Sequence, residues 1–147
     1  MSDSRQLFAD RSLYEHHHKM IGARIDDMVD LINGQTSDGG NLRNGLINLV
    51  DILDQHFQFE ERLMQSLYYP MVDEHVKHYA SFRSELDFQI GVASPTCPDA
   101  AMNILSFIKL WSKNHDELYD NPLLDFLDWR IRLAHTTGEA PSVGIGS

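Results

Sequence analysis

Residues 41–67 read NLRNGLINLVDILDQHFQFEERLMQSL. Leu42, Leu46, Leu49 and Leu53 recur at steps of three and four, and the row then passes through His56 and Glu60 before Leu63 and Leu67 resume it. That spacing is one face of an α-helix. At two successive steps a leucine face presents an imidazole and then a carboxylate, so a fold that buries this face must also bury two groups that prefer water.

Working outward, turn residues divide the chain at Gly34–Gly40, Tyr68-Tyr69-Pro70, Ser94–Asp99 and Asp120-Asn121-Pro122. Four segments of helical length lie between these breaks. The first, about 11–33, carries Tyr14, Ile21, Ile25, Met28 and Ile32, with His18 at the vacant step. The third, about 71–92, carries Val72, Phe82, Leu86 and Ile90, with His75 and Tyr79 in the same row. The fourth starts at a Pro98-Asp99 signal and runs Ala101, Ile104, Ile108, Trp111, His115, Leu118. A shorter segment, about 122–134, sets Leu123, Leu127 and Ile131 on one side and is expected to cap the bundle or pack along it. No segment alternates at period two. The expected fold is all-α, an up-down-up-down four-helix bundle with an additional short C-terminal helix. Residues 1–147 form one domain on this reading, with a core bundle at about 11–121, the C-terminal helix, and a flexible tail at 135–147.

Composition narrows the chemistry. The 147 residues include 22 acidic and 12 basic side chains, for a net charge of −10, with eight histidines and one cysteine. An acidic surface repels phosphate backbones and anionic membranes, so neither nucleic acid nor membrane is an expected partner. Cys97 alone makes no internal disulfide and no cysteine-built metal site. The first residues lack an apolar leader, and no apolar run approaches the length of a membrane span, so the cytoplasm is the expected compartment.

Depth along the helices turns these vacant steps into a site. His18 and His56 each lie about fifteen residues from the turn that joins their helices, roughly 22 Å at 1.5 Å per residue. Glu60 and Tyr79 are similarly matched about the next turn, and His75 and His115 about the one after. Six polar side chains from four helices therefore meet in one slab of an apolar core. Unpartnered, each would cost roughly 2 kcal/mol or more, and six such losses rival the stability of a small domain. Two arrangements satisfy them together, a hydrogen-bonded polar core or a metal centre with nitrogen and oxygen ligands, and the set as a whole, with His56 and Glu60 at i and i+4 and the others level with them, favours the metal. His16 and His17 point off the stripe and His135 lies in the tail, so all three are expected at the solvated surface.

His56-Phe57-Gln58-Phe59-Glu60-Glu61-Arg62-Leu63-Met64, followed by Tyr69-Pro70, resembles the H-F-x-x-E-E-x-L-M…Y-P signature of the hemerythrins and bacterial hemerythrin-like proteins. Trp111-Ser112-Lys113-Asn114-His115 with Asp120 resembles that family's W-x-x-x-H-x-x-x-x-D. The likeness covers roughly residues 11–121 and implies a four-helix bundle holding two non-haem iron ions, Fe2+ or Fe3+, with an oxo or hydroxo bridge. Carried over position by position, it implies that His18 and His56 bind one iron, His75 and His115 the other, and that Glu60 and Asp120 bridge them. It also implies an apolar ligand pocket, here Trp111, Ile21, Leu53 and Phe82.

The third helix departs from the pattern. Where the family has a second histidine, four residues after the first, this chain has Tyr79. Tyr79 binding as phenolate, Tyr79 standing aside, and His78 rotating in are the three alternatives; i+4 lies about 40° round the helix from His75 and i+3 about 60° the other way. Tyr79 is read as the occupant of the slot, with or without a bond to iron. The resemblance implies a protein that binds dioxygen, peroxide or a small anion for carriage, storage or sensing, rather than an enzyme. The alternative is oxidase or peroxidase activity at a site altered by Tyr79. A ferritin-like enzyme needs two Glu-x-x-His motifs, and only Glu15-x-x-His18 fits. A protein partner or a second copy is expected to meet the C-terminal helix.

Overall fold

The computed structural model describes residues 4–34, 39–93 and 96–136, so most of the expected tail at 135–147 lies outside the described residues. Among the described residues there is no strand, and the helices form a bundle: α1 (Ser4–Asn33), α2 (Gly39–Leu67), α3 (Val72–Ala93), α4 (Pro98–His115) and α5 (Asn121–Thr136). Among the described residues no helix is long and apolar enough to cross a membrane. The stripes read from sequence become the core, with Leu42, Leu46, Leu49 and Leu53 of α2 all essentially inaccessible. They pack with Ile25 and Met28 of α1, Leu86 of α3 and Ile104 and Ile108 of α4.

The turn after α2 has an explicit cause. Tyr68 adopts a positive φ of 55°, the Tyr68 N–H donates to Gln65 O at 3.2 Å and the Tyr69 N–H to Met64 O at 3.0 Å. This pair of bonds is a Schellman cap, which satisfies carbonyls the helix would leave bare. The Arg130 guanidinium of α5 donates a further bond to Leu67 O at 2.8 Å.

Two boundaries differ from the sequence reading. First, α1 starts at Ser4, not near residue 11, because Leu7 is buried in a second apolar cluster with Tyr14, Leu63, Leu123 and Leu127. Second, Asp120-Asn121-Pro122 does not end the helix. The chain passes from α4 through one π-helical turn, Asp116–Asp120, directly into α5. Pro122 has no N–H, and in a regular helix its ring would collide with the carbonyl four residues back. The wider turn removes that collision, and the Asn121 N–H donates to Asp116 O, five residues back.

The π turn also resets the register. Leu118, assigned to the buried stripe by α-helical spacing, is 68% exposed, and Asp120 takes its place inside at 2%. Beyond it Leu123, Leu127, Ile131 and Ala134 face inward against α1 and α2, so this apolar row of α5 is covered within the chain. Arg11 of α1 holds Asp128 of α5 at 2.9 Å across the same seam.

This register predicts opposite outcomes for two leucines five residues apart. Leu123→Ala should lower unfolding stability by about 2–5 kcal/mol, the cost of a large-to-small change in a closed core. Leu118→Ala should stay within about 0.5 kcal/mol. Urea denaturation of both variants tests the assignment, and a large loss at Leu118 would restore the unbroken α-helical register.

Candidate metal centre

The slab predicted from helix depth lies between the two apolar clusters. His56, Glu60, His75, His115 and Asp120 are each no more than 3% exposed, and His18 is partly buried. Glu60 and Asp120 sit at the middle. Glu60 Oε2 is 3.5 Å from His56 Nε2, and Oε1 is 3.4 Å from His75 Nε2 and 3.9 Å from His115 Nε2. Asp120 Oδ2 is 3.2 Å from His18 Nε2, and Oδ1 is 2.9 Å from His115 Nε2 and 3.5 Å from His75 Nε2.

Two groups emerge: His18, His56, Glu60 and Asp120, and Glu60, His75, His115 and Asp120. In each, one nitrogen or oxygen from every residue lies within 4.8 Å of all the others. Two donors at about 2.1 Å from a common ion stand about 3.0 Å apart at right angles and about 3.4 Å at tetrahedral angles, so these separations suit coordination. Both groups share both carboxylates, which is the arrangement of a bridged pair. The imidazole nitrogens His18 Nε2, His56 Nε2, His75 Nε2 and His115 Nε2, both oxygens of Glu60 and Asp120 Oδ1 all lack a well-formed hydrogen bond. Buried polar atoms are rarely left so. The buried His/Glu/Asp groups could hold metal ions, and most of the buried polar atoms without a partner among the described residues belong to them.

The π turn accounts for the sixth residue. His115 and Asp120 are five apart, and in a regular α-helix five residues turn through 500°, which leaves them roughly 140° apart around the axis. The extra residue of the wide turn brings Asp120 beneath His115.

Tyr79 and His78 take other positions. The Tyr79 hydroxyl donates a short hydrogen bond to Asp54, which Arg83 grips through Nε at 2.9 Å and Nη2 at 3.2 Å. The Tyr79 ring stacks on Phe57 at 3.7 Å. Burial and the neighbouring Asp54 charge raise the Tyr79 phenol, which disfavours a phenolate there. The Tyr79 hydroxyl is thus engaged by Asp54 in this structure. His78 lies against the back of His115, Nδ1 to Nδ1 at 2.9 Å, and does not face the carboxylates. His17, expected at the surface, is half-buried with its Nδ1 3.4 Å from His56 Nδ1 and its ring 4.8 Å from Phe59. His16 and His135 are exposed.

Two further groups were invisible to periodicity. Tyr14 reads as one more apolar residue, yet its ring stacks on His18 at 4.4 Å and its buried hydroxyl has no partner. Burial, reinforced by Asp120 and Glu60, raises that phenol far above its usual range. Asp116 begins the π turn beside a cavity of about 140 Å³ that His18, Ile21, Leu53, His56 and Trp111 also line. Burial and the adjacent Asp120 push its carboxyl up to about 7. Phe82 does not line this cavity and stacks behind Trp111 at 3.9 Å. A second cavity, about 130 Å³, lies between α2 and α3, with His75, Phe57, Asp54 and Tyr79 in its wall.

Comparison of the chain with protein-family models, with curated proteins and with solved structures finds no match.

Without metal, the slab is held by its own charges. Burial opposes charging His115, but the carboxylates of Asp120 and Glu60 close to its Nε2 outweigh it and push the ring up to about 9 from 6.5. Burial would likewise raise Glu60, but the imidazoles of His115, His56 and His75 close around it hold it well below the ordinary carboxylate range. A raised histidine stabilises fully below its unfolded value and loses that contribution as pH rises through its folded value. Protein stripped with chelator should therefore melt several degrees lower at pH 9 than at pH 6.5. The fall should vanish after metal loading, because coordinated imidazoles have already released their protons. Equal pH profiles with and without metal would refute this account.

Proposed function

We propose that this chain is a hemerythrin-like di-iron protein that binds dioxygen or a related small ligand, for carriage, storage or sensing. The observation that carries the reading is the pair of four-residue groups sharing Glu60 and Asp120. On this reading the helices run up-down-up-down, with α5 as an additional helix. His18 and His56 hold one iron, His75 and His115 the other, and both carboxylates bridge. Imidazole and carboxylate donors with no thiolate suit iron. When bound, the two ions supply two electrons and open positions for a small ligand.

The chain's own residues do the rest. Ile21, Leu53 and Trp111 give the cavity beside His18 and His56 an apolar wall that limits water. The α2, α3 and α4 helices fix the imidazoles by burial, so the donors are arranged before any ion arrives. Tyr79 stays on Asp54 and contributes no donor. Each metal position then has two imidazoles and two shared carboxylates, and neither is filled by protein groups alone.

One observation favours the alternative, an oxidase or peroxidase activity. Asp116 faces the same cavity with a carboxyl raised to about 7, so it can hold a proton at neutral pH and give it to a reduced oxygen species.

Anaerobic loading with Fe2+ should give two irons per chain by elemental analysis, and well under two sinks the proposal. The visible spectrum after exposure to air should be unchanged in Tyr79→Phe, whereas loss of a band in that variant would reinstate phenolate ligation. Steady peroxide consumption on a reduced substrate, slowed roughly 100-fold or more by Asp116→Asn at equal iron content, would select the enzymatic alternative. No turnover selects the binding role.

A further inference from the structure

Two histidines outside the candidate ligand sets stand in matching positions. His78 of α3 lies with Nδ1 2.9 Å from Nδ1 of His115 on α4. His17 of α1 lies with Nδ1 3.4 Å from Nδ1 of His56 on α2. Each contact crosses from one helix to the next, and each backs one histidine of a different candidate group. In both cases the backed ring points its other nitrogen, Nε2, at the shared carboxylates.

The chemistry of a ring–ring contact is restrictive. Two Nδ1 atoms in hydrogen-bond contact need one N–H and one lone pair between them. If the outer histidine accepts, the inner ring carries its proton on Nδ1 and bares the Nε2 lone pair toward the carboxylates. If the outer ring donates, a neutral inner ring must carry its proton on Nε2, where it blocks coordination. A metal-binding histidine is usually oriented this way, by an acceptor on its far nitrogen. His78 is also fixed as a body, stacked on Trp111 and Tyr119 at centroid distances of 5.1 and 4.1 Å.

We infer that His78 and His17 are positioning residues that accept the Nδ1–H of His115 and His56, and so hold one imidazole of each metal position in its coordinating tautomer. The inference rests on the dinuclear reading above. It assigns a use to the two histidines that neither belong to a candidate ligand set nor face solvent fully.

The test separates the acceptor from the ring. His78→Phe keeps a flat ring in the stack and removes the acceptor. His78→Asn gives up the ring and keeps an amide oxygen near the place of Nδ1. With Zn2+ as a diamagnetic probe in chelator competition, wild type should bind two ions. His78→Phe should weaken one of them about 10–100-fold, and His78→Asn should recover most of that loss. Proton–nitrogen spectra of the zinc-loaded wild type should show a protected His115 Nδ1–H that His78→Phe loses. His17→Phe and His17→Asn should repeat the pattern at the other ion with His56. Melting of the chelated variants separates metal affinity from folding. Unchanged affinity in His78→Phe, or His78→Asn no better than His78→Phe, overturns the positioning role. A wild type that takes up no ion instead overturns the dinuclear reading, and this role with it.

Discussion

Two carboxylates, Glu60 and Asp120, are sealed inside an apolar bundle with almost no access to water. Everything else in the molecule answers to that constraint. A buried carboxylate is intolerable unless positive charge surrounds it, and the four helices deliver four imidazoles, one each from α1, α2, α3 and α4. Protons can supply that charge, as the raised His115 shows. Metal ions can supply more of it in less space, and they use the lone pairs that the protonated arrangement must cover.

Much of this was written plainly in the sequence. His18, His56, Glu60, His75 and His115 each interrupt a stripe of aliphatic residues at a step the helix period requires, so their inward direction follows from spacing alone. The common depth of the five follows from helix rise and turn positions. Asp120 was legible only through resemblance to a motif, because α-helical geometry puts it on the wrong side of His115. The π turn that corrects this leaves a faint trace, a proline two residues later. Period-counting treated that trace as a helix end.

The remaining surprises share a cause. His17 and His78 neighbour the slab in sequence and spacing marks His17 as a surface residue and His78 as a surface residue or substitute donor, yet each leans across to the neighbouring helix and meets a ring from behind. Tyr79 occupies the position of an expected ligand and is drawn off by Asp54 and Arg83, charges outside the apolar row. Tyr14 hides a polar tip on an apolar body. Periodicity reports which face of a helix is buried. It does not report what reaches that face from another helix, and His17, His78 and Tyr79 are placed by such contacts.

The slab also divides the interior. One cluster lies around Leu46, Leu86 and Ile108, another around Leu7, Leu63 and Leu127, and the polar residues separate them. A protein built this way has two seeds of stability joined by a seam whose strength depends on what neutralises it. Amide hydrogens on the two sides of the seam belong to different cooperative opening units when the seam is weak, and merge into one unit when it is strong. The centre would then govern whether the bundle unfolds as one body or as two.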